Sequence, residues 1–133
     1  MKPEKSEYQD AWERAPGLLY FVAAGSPPVA VKIGVTKRES LKNRLRAIQT
    51  GNHETIEVLG LIAFDDEERP MLAAEAKEKE LHAQFAELQR FQHGWVGSEW
   101  FTAAPVLLNF IVENAVSPES LQLPRVVAKP KNR

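Results

Sequence analysis

Two short apolar segments divided by a turn-forming stretch constrain the fold more than any other feature of the chain. Residues 17–23 read Gly-Leu-Leu-Tyr-Phe-Val-Ala and residues 29–35 read Val-Ala-Val-Lys-Ile-Gly-Val, with Gly-Ser-Pro-Pro at residues 25–28 between them. Apolar runs of this length bounded by glycine and proline are typical of a β-hairpin. The sequence therefore predicts a small sheet built on this hairpin, with two polar side chains, Tyr20 and Lys32, in otherwise apolar strands.

The register of this hairpin decides which side chains can act together. If Ala24 pairs with Val29, then Tyr20 lies opposite Ile33. A five-residue loop over residues 24–28 places Tyr20 opposite Lys32 on the same face instead. A slip of one residue moves every side chain to the other face of the sheet, and the sequence leaves both registers open.

The remaining segments predict an α/β (α+β) fold of one domain. The 133 residues are 44% hydrophobic and 26% charged, which is ordinary for a globular domain. We expect a small, mainly antiparallel three-stranded sheet flanked by three helices. Beyond the hairpin, the expected elements are a basic helix (39–49), an apolar central strand covered on both faces (56–64), a long helix (71–89), an extended piece (99–101) and a last helix (105–115).

The ends of the chain differ from its middle in composition. We expect a charged leader over residues 1–16 with a short helix around residues 8–14, the folded domain over 17–115 and a flexible basic tail over 116–133. The absence of cysteine excludes disulfides and thiolate metal sites. The first residues lack the apolar core of a signal peptide, and no apolar run is long enough to span a bilayer. These features favour a cytoplasmic protein without a membrane partner.

Positive charge is concentrated just after the second apolar segment. The net charge of −1 argues weakly against a nucleic-acid partner, but residues 32–46 carry six bases against one acid, Glu39. A local basic stripe is what a phosphate backbone requires. A solvated helix face would show the same pattern, and this alternative stays open. The bases expected to contact nucleic acid are Lys37, Arg38, Lys42 and Arg46.

The long helix carries a carboxylate on its apolar side. Its inward stripe consists of Ala74, Glu78, Leu81, Phe85 and Leu88, at spacings of four and three residues. An inward glutamate is costly unless it has a partner, so Glu78 is either a ligand or the partner of a neighbouring base.

Four motifs in order resemble the GIY-YIG nucleases. Leu18-Leu19-Tyr20, with Gly17 one place early, and Lys32-Ile33-Gly34 stand where the family has its two tripeptides. The chain is most similar to a phage-type branch that has Lys-Ile-Gly, then Glu-x-x-Leu-His-x-x-Phe (here 78–85) and Glu-Trp-Phe (here 99–101). Lys32 departs from the tyrosine that the family commonly has there.

The resemblance implies a metal-dependent endonuclease that hydrolyses phosphodiester bonds. It implies that Glu78 binds Mg²⁺ or Mn²⁺ and that Arg44 binds the scissile phosphate. Tyr20 would align or deprotonate the attacking water, and Lys32 would neutralise phosphate charge in place of the second tyrosine. The substrate would be nucleic acid, with DNA expected before RNA.

Three further residues are candidates of lower rank or less certain role. His53 follows the basic helix, where some relatives carry a proton-transferring residue, and an exposed loop histidine is the alternative. His82, one turn after Glu78, would be a second metal ligand or a packing residue. Glu99 would orient the site or hold its loop.

Two other functions stay open from the sequence. The first is a DNA-binding or interaction module that kept the scaffold and lost catalysis. The reason to consider it is that Lys32 replaces the usual tyrosine. The second is a small-molecule-binding α/β protein. No targeting module is recognisable, so specificity would come from loops, a partner protein or self-association.

Overall fold

The expected hairpin is present in the computed structural model, which describes residues 6–90, 99–123 and 127–128. Within these residues, five strands form one sheet in the order β4-β2-β1-β3-β5, with every neighbouring pair antiparallel. The strands are β1 (Gly17–Ala24), β2 (Ala30–Lys37), β3 (Ile56–Ala63), β4 (Trp100–Thr102) and β5 (Val127–Ala128).

Four α-helices accompany the sheet in the described part of the chain. They are α1 (Glu7–Arg14), α2 (Leu41–Thr50), α3 (Pro70–Gln84) and α4 (Pro105–Asn114), with 3₁₀ turns at Arg38–Ser40, Ala86–Leu88 and Pro118–Leu121. The α+β class and the antiparallel sheet are confirmed. The counts of three strands and three helices are wrong, because β4 and β5 are too short to give a periodic signal and α1 falls within the segment interpreted as a leader.

Strand β1 is the centre of the sheet. All eight of its residues are buried, since it pairs with β2 on one side and β3 on the other. The sequence analysis placed the central strand at residues 56–64, and this is wrong. On its outer side, strand β3 pairs with the two-residue β5 and, through Leu61, with Val116, and several of its residues are partly exposed. A continuous apolar run does not distinguish a central strand from its neighbour.

Each face of the sheet packs against different helices. On the first, which we name the α3 face, Leu19, Phe21 and Ile33 pack with Leu81 of α3 and Ile111 of α4. The opposite face, which we name the α2 face, is covered by α2. Its core consists of Leu18, Tyr20, Val22, Ala24, Leu41, Leu45, Ile56 and Leu61.

The hairpin has neither of the two registers that we expected. Tyr20 lies opposite Gly34, and Lys32 lies opposite Val22. The loop comprises residues 25–29 and is closed by the Val29 N–H, which donates to the Ala24 carbonyl at 2.8 Å. Gly25 has φ of 95°, a conformation that other residues rarely adopt. Because Val29 belongs to the loop, Tyr20 and Lys32 share the α2 face, one strand apart and displaced by two residues.

The segments flanking the predicted domain also pack against it. Arg69, at the start of α3, donates to Asp10 at 2.8 Å and to Glu13 at 2.9 Å, which fixes α1 on α3. Residues 116–123 were assigned from sequence to a flexible tail, but this segment begins beside β3. There, Val116 and Leu61 exchange backbone hydrogen bonds. The rest of the predicted leader and tail, residues 1–5, 124–126 and 129–133, lies outside the described residues. No described helix has the length and apolar character to cross a membrane.

Candidate functional site at the edge of the second strand

Several of the predicted site residues lie near the point where strand β4 stops covering β2. Strand β4 pairs with β2 from Ala30 to Lys32, and the Ile33 N–H still donates to the Glu99 carbonyl at 3.1 Å. From Gly34 onward no described strand pairs with this side of β2. Side chains from both faces of the sheet can therefore meet at this edge.

Gly34 makes room for the tyrosine. A Cβ atom at this position would collide with the hydroxyl oxygen and the ring of Tyr20. The Tyr20 ring therefore lies across β2 and carries its hydroxyl from the central strand towards the open edge. The side chain is only 2% exposed.

The Tyr20 hydroxyl is available for a ligand. Among the described residues it makes no hydrogen bond, and none of their buried side-chain oxygens or nitrogens lacks a partner. The hydroxyl therefore has hydrogen-bonding capacity that no described residue uses. Burial raises the pKa of Tyr20 above its ordinary value of 10, Glu99 and Glu78 raise it further, and Arg44 opposes them. The phenol is thus protonated at neutral pH.

Lys32 is held from two sides beside the tyrosine. Its Nζ lies 2.9 Å from a carboxylate oxygen of Glu99 and 5.6 Å from the centre of the Trp100 ring. The Lys32 side chain is 15% exposed, whereas that of Glu99 is 42% exposed. Glu99 and Trp100 therefore fix the position of a mostly buried ammonium group.

Glu78 approaches the same edge from helix α3. Its neighbours in the inward stripe, Ala74 and Leu81, are fully buried, and Glu78 itself is partly buried. Burial raises the pKa of Glu78, as do Glu99 and Glu75. His82 and Lys32 lower it. Within the described residues, Glu78 makes no ion pair.

His82 ties α3 to the edge of β2. Its Nε2 lies 2.9 Å from the Ile33 carbonyl oxygen, and its ring packs edge-on against Phe101 at 5.1 Å. A carbonyl only accepts hydrogen bonds, so Nε2 carries the proton and Nδ1 of the neutral ring is the free acceptor. A metal ion could be bound by this ring only through Nδ1.

Arg44 contributes a free positive charge from the other side of the sheet. It is exposed on α2, and it lies close enough to Tyr20 to lower the pKa of that phenol. No ion pair of Arg44 is found in the described part of the chain. The guanidinium is therefore free to bind an anion in front of the tyrosine.

The outer bases divide into free and occupied groups. Lys42 and Arg46 are exposed on α2 and make no ion pair with a described residue. Lys37 lies 3.5 Å from Glu39. Arg38 donates to the Leu121 carbonyl and lies 4.0 Å from Asp65, so its guanidinium holds the C-terminal segment.

His53 is not joined to the other candidates. It is exposed in the turn between α2 and β3, and it makes no hydrogen bond or ion pair with any described residue. Its proton-transfer role stays a prediction without support from a contact.

The donor set suits a metal that takes few protein ligands. The described residues contain no group of three or more histidine, aspartate or glutamate side chains arranged to hold a metal ion. Glu78, with Glu99 nearby, is the carboxylate available at the edge. Mg²⁺ commonly takes one or two carboxylates and completes its shell with water and substrate oxygens.

Two residues that shape the site were not identified as such from the sequence. Gly34 provides the space under Tyr20, and Trp100 supports Lys32. Both stood in the quoted motifs, but their roles require the strand register. If the register had been known, the pairing of Gly34 with Tyr20 would have indicated that the glycine makes room for the tyrosine ring.

Comparison with known protein families decides the classification. The family described as the T5orf172 domain matches residues 17–116. The chain belongs to the T5orf172 domain family. Domains of this family are often nuclease-like or DNA-binding, so the match supports a role related to nucleic acid. No curated protein and no solved structure matches the chain.

The T5orf172 match corrects the resemblance drawn from the motifs. The T5orf172 domain is a family distinct from the GIY-YIG nucleases, and nothing else links this chain to them. The resemblance rested on short motifs, of which the first has its glycine displaced and the second has lysine for tyrosine. The position of the side chains at the β2 edge does not depend on that family name.

Proposed function

We propose that this T5orf172 domain is a metal-dependent endonuclease that hydrolyses nucleic-acid phosphodiester bonds at the edge of β2. The observation that carries the proposal is the convergence of three groups of complementary chemistry. They are the carboxylate of Glu78 and the guanidinium of Arg44, which make no ion pair with a described residue, and the hydroxyl of Tyr20, which makes no hydrogen bond with one. Perturbed ionisable groups that gather at one exposed edge are typical of catalytic sites.

The carboxylate of Glu78 fits a divalent ion. A partly buried carboxylate without an ion pair opposes folding, and a bound cation would remove that penalty. Glu78, with Glu99 as a second carboxylate nearby, matches the small donor set that Mg²⁺ or Mn²⁺ takes in proteins. When bound, the ion supplies positive charge beside the phosphate and lowers the pKa of a bound water.

Positive side chains hold the phosphate. Arg44 can donate two parallel hydrogen bonds to phosphate oxygens, which both orients the phosphate and stabilises charge that develops on it. Lys32 adds a second positive charge, and its contacts with Glu99 and Trp100 keep it in place. The preorganised charges cost no rearrangement during the reaction.

Tyr20 aligns the attacking water. Because its pKa is raised, the phenol is protonated at neutral pH and acts through hydrogen bonds. Of the two roles considered from the sequence, alignment is therefore favoured over deprotonation. In the reaction, the water oxygen bonds to phosphorus and releases a proton to solvent, the bond from phosphorus to the leaving sugar oxygen breaks, and that oxygen takes up a proton from solvent.

The free bases of α2 extend the site along a nucleic-acid strand. Lys42 and Arg46 lie on the same helix as Arg44, and all three are exposed. Their charge would hold the phosphate backbone without sequence information. DNA is the substrate that we propose first.

A second function, nucleic-acid binding without cleavage, is favoured by two observations. The Lys32 ammonium is engaged by Glu99, and the Tyr20 phenol is protonated, so neither is poised to accept a proton from water. In that case the same surface would bind DNA and leave it intact.

A cleavage assay separates the two functions. Purified protein is incubated with plasmid, single-stranded DNA and RNA, in Mg²⁺, in Mn²⁺ and in chelator. We expect cleavage with either metal and none in chelator. Glu78→Gln protein prepared in the same way controls for contaminating nuclease. Binding without cleavage under all conditions would favour the second function, and equal cleavage in chelator would contradict metal dependence.

A further inference from the structure

A cavity of about 340 Å³ lies on the α2 face, next to the candidate active site. Two small residues that pair across the hairpin, Ala24 and Ala30, lie at its base. Trp100 forms one wall. This volume is at the low end of the range of about 300–1,000 Å³ found for small-ligand pockets.

Trp100 is a fixed aromatic surface. Its backbone pairs with Lys32 on one side of β4, and its carbonyl accepts from the Arg90 N–H at 2.9 Å on the other. The ring also has the Lys32 ammonium 5.6 Å from its centre. An indole held in this way is a suitable platform for stacking a nucleobase.

Three polar side chains border the cavity with unused hydrogen-bonding capacity. They are the amide of Asn52, the carboxylate of Glu54 and the guanidinium of Arg90. Among the described residues, none of these side chains makes a hydrogen bond or an ion pair. Together they offer both donors and acceptors, as the edges of nucleobases require.

We propose that this cavity binds one unpaired nucleobase of a single-stranded nucleic acid, stacked on Trp100 and hydrogen-bonded by Asn52, Glu54 and Arg90. The inference rests on the proposed function and names its substrate class. The carboxylate of Glu54 disfavours a phosphate in the cavity but can accept hydrogen bonds from the amino group of a base. A base within a duplex is stacked and paired, so it cannot enter.

The cavity is close enough to the candidate active site to bind a base of the same nucleic-acid strand. Ala30, Lys32 and Gly34 lie on one face of β2, and Gly34 is paired with Tyr20. At about 3.3 Å per residue, Ala30 at the base of the cavity is therefore roughly 13 Å from Gly34. At about 3.4 Å per stacked nucleotide, this distance corresponds to a few nucleotides. The bound base would therefore lie a few nucleotides from the bond that is cut.

Binding measured in chelator tests the inference without requiring cleavage. Fluorescence anisotropy is recorded with a labelled 12-nucleotide DNA strand, the RNA strand of the same sequence and the matching DNA duplex. We expect the wild type to bind the single strands more tightly than the duplex. Trp100→Ala should weaken single-strand binding at least about fivefold, the lower scale for one stacked base, and should weaken duplex binding by a smaller factor, because only the support of Lys32 is lost there. Trp100→Phe keeps an aromatic platform and should stay within about threefold of the wild type.

Variants at the cavity border guard against a folding effect at Trp100. Asn52→Ala, Arg90→Ala and the cavity-filling Ala30→Leu should each weaken single-strand binding at least about threefold. Lys79→Ala, which removes an exposed charge from α3, and Ala76→Leu, which enlarges an exposed alanine there, are the matched controls and should bind as the wild type does. A uniform loss for single strand and duplex in the cavity variants would overturn the inference, because it would indicate only a change in electrostatic attraction.

The two proposals fail in different ways. If the protein cleaves nucleic acid but the cavity variants bind single strands as the wild type does, the nucleobase site is wrong and the proposed function stands. If the cavity variants lose single-strand binding and no cleavage is ever seen, the binding site stands and the proposed catalysis is wrong. A wild type that binds duplex as tightly as single strands would contradict the nucleobase site directly.

Discussion

Two groups of charged side chains contact helix α3 or belong to it, and they are built in opposite ways. At its start, Arg69 binds Asp10 at 2.8 Å and Glu13 at 2.9 Å, and we name these three residues the α1 cluster. The edge cluster consists of Tyr20, Lys32, Arg44, Glu78 and Glu99. In the α1 cluster every charge has a partner, whereas in the edge cluster Glu78 and Arg44 have no ion-pair partner among the described residues.

The pKa of one carboxyl group in each cluster, Asp10 and Glu78, moves in the opposite direction from the other. The hydrogen bond from Arg69 lowers the pKa of Asp10 below 3.8, and Arg14 contributes in the same direction. Burial raises the pKa of Glu78 above 4.5. Folding thus favours the charged form of Asp10 and disfavours the charged form of Glu78.

The difference separates a structural role from a functional one. The α1 cluster attaches helix α1, which lies outside the matched domain, to helix α3, and its charges neutralise one another in ion pairs. In the edge cluster, the guanidinium of Arg44 could pair with a substrate phosphate, and the carboxylate of Glu78 could pair with a cation. Ionisable residues alone would not have distinguished the two clusters, because both combine carboxylates with basic side chains.

The largest expected effect comes from removing the unpaired carboxylate. Glu78→Gln keeps the shape of the side chain and should reduce cleavage by about two to three orders of magnitude, the scale for one essential electrostatic group. DNA binding should be retained or tightened, because a negative charge near the phosphate is lost. Initial cleavage rates with Mg²⁺ and affinity in chelator are the measurements.

The matched control is on the same helix. Glu80 is exposed and paired with Lys77 at 3.0 Å, so Glu80→Gln should cleave as the wild type does. Equal activity of the two variants would place the metal ligand elsewhere, with Glu99 as the next candidate.

The next effect distinguishes two of the three exposed basic side chains of α2, Arg44 and Lys42. Arg44→Ala should lower turnover at saturating substrate by about two orders of magnitude, because one contact to the charged transition state is lost. Lys42→Ala should keep its turnover and weaken binding, with a salt-dependence slope smaller by about one unit. Single-turnover rates over a salt series measure both. If Arg44→Ala behaved as Lys42→Ala does, Arg44 would be only a backbone contact.

A smaller effect is expected from moving the tyrosine hydroxyl. Gly34→Ala places a methyl group where the Tyr20 hydroxyl lies and should reduce cleavage about tenfold or more by displacing it. Tyr20→Phe removes the hydroxyl without the collision, so it should fold normally and cleave poorly.

Gly51→Ala is the control for the glycine substitution, since nothing lies within 4 Å of a Cβ atom there. It should match the wild type in rate and melting temperature. Full activity of Tyr20→Phe would exclude a role of the hydroxyl in aligning water.

The sequence predicted the members of the site better than their arrangement. The spacing of α3 placed Glu78 next to Leu81 on the inward side, because helical periodicity depends only on local geometry. The pairing of Tyr20 with Gly34 was not predictable, since it depends on how Gly25 and Val29 close the hairpin loop. A strand register is fixed by such non-local closure and not by the strand sequences alone.

The packing of the chain ends was also beyond the sequence. Helix α1 was foreseen as a short helix, but its attachment depends on Arg69, more than fifty residues away. The cavity beside Trp100 likewise joins the hairpin, the turn after α2 and Arg90. Contacts between such distant segments leave no periodic pattern in the sequence.

The melting temperatures of Glu78→Gln and Asp10→Asn, measured in chelator from pH 7 to pH 4, test the central contrast most directly. We expect Glu78→Gln to melt a few degrees above the wild type, or at the same temperature, at pH 7, because ionised Glu78 opposes folding. Since the pKa of Glu78 is raised in the folded state, this difference should shrink as the pH falls through that pKa and vanish by about 4.5.

Asp10→Asn should melt below the wild type at pH 7, and its deficit should persist to about pH 4. The reason is that the pKa of Asp10 is lowered in the folded state. Ionised Asp10 therefore stabilises the fold above pH 3.8, and this stabilisation is lost only as the pH falls through the pKa of the folded state. The predicted result at pH 7 is a melting temperature of Glu78→Gln at or above that of the wild type, and a melting temperature of Asp10→Asn below it. A Glu78→Gln protein that is destabilised at pH 7, as Asp10→Asn is, would show that Glu78 is a satisfied structural partner and would contradict the account.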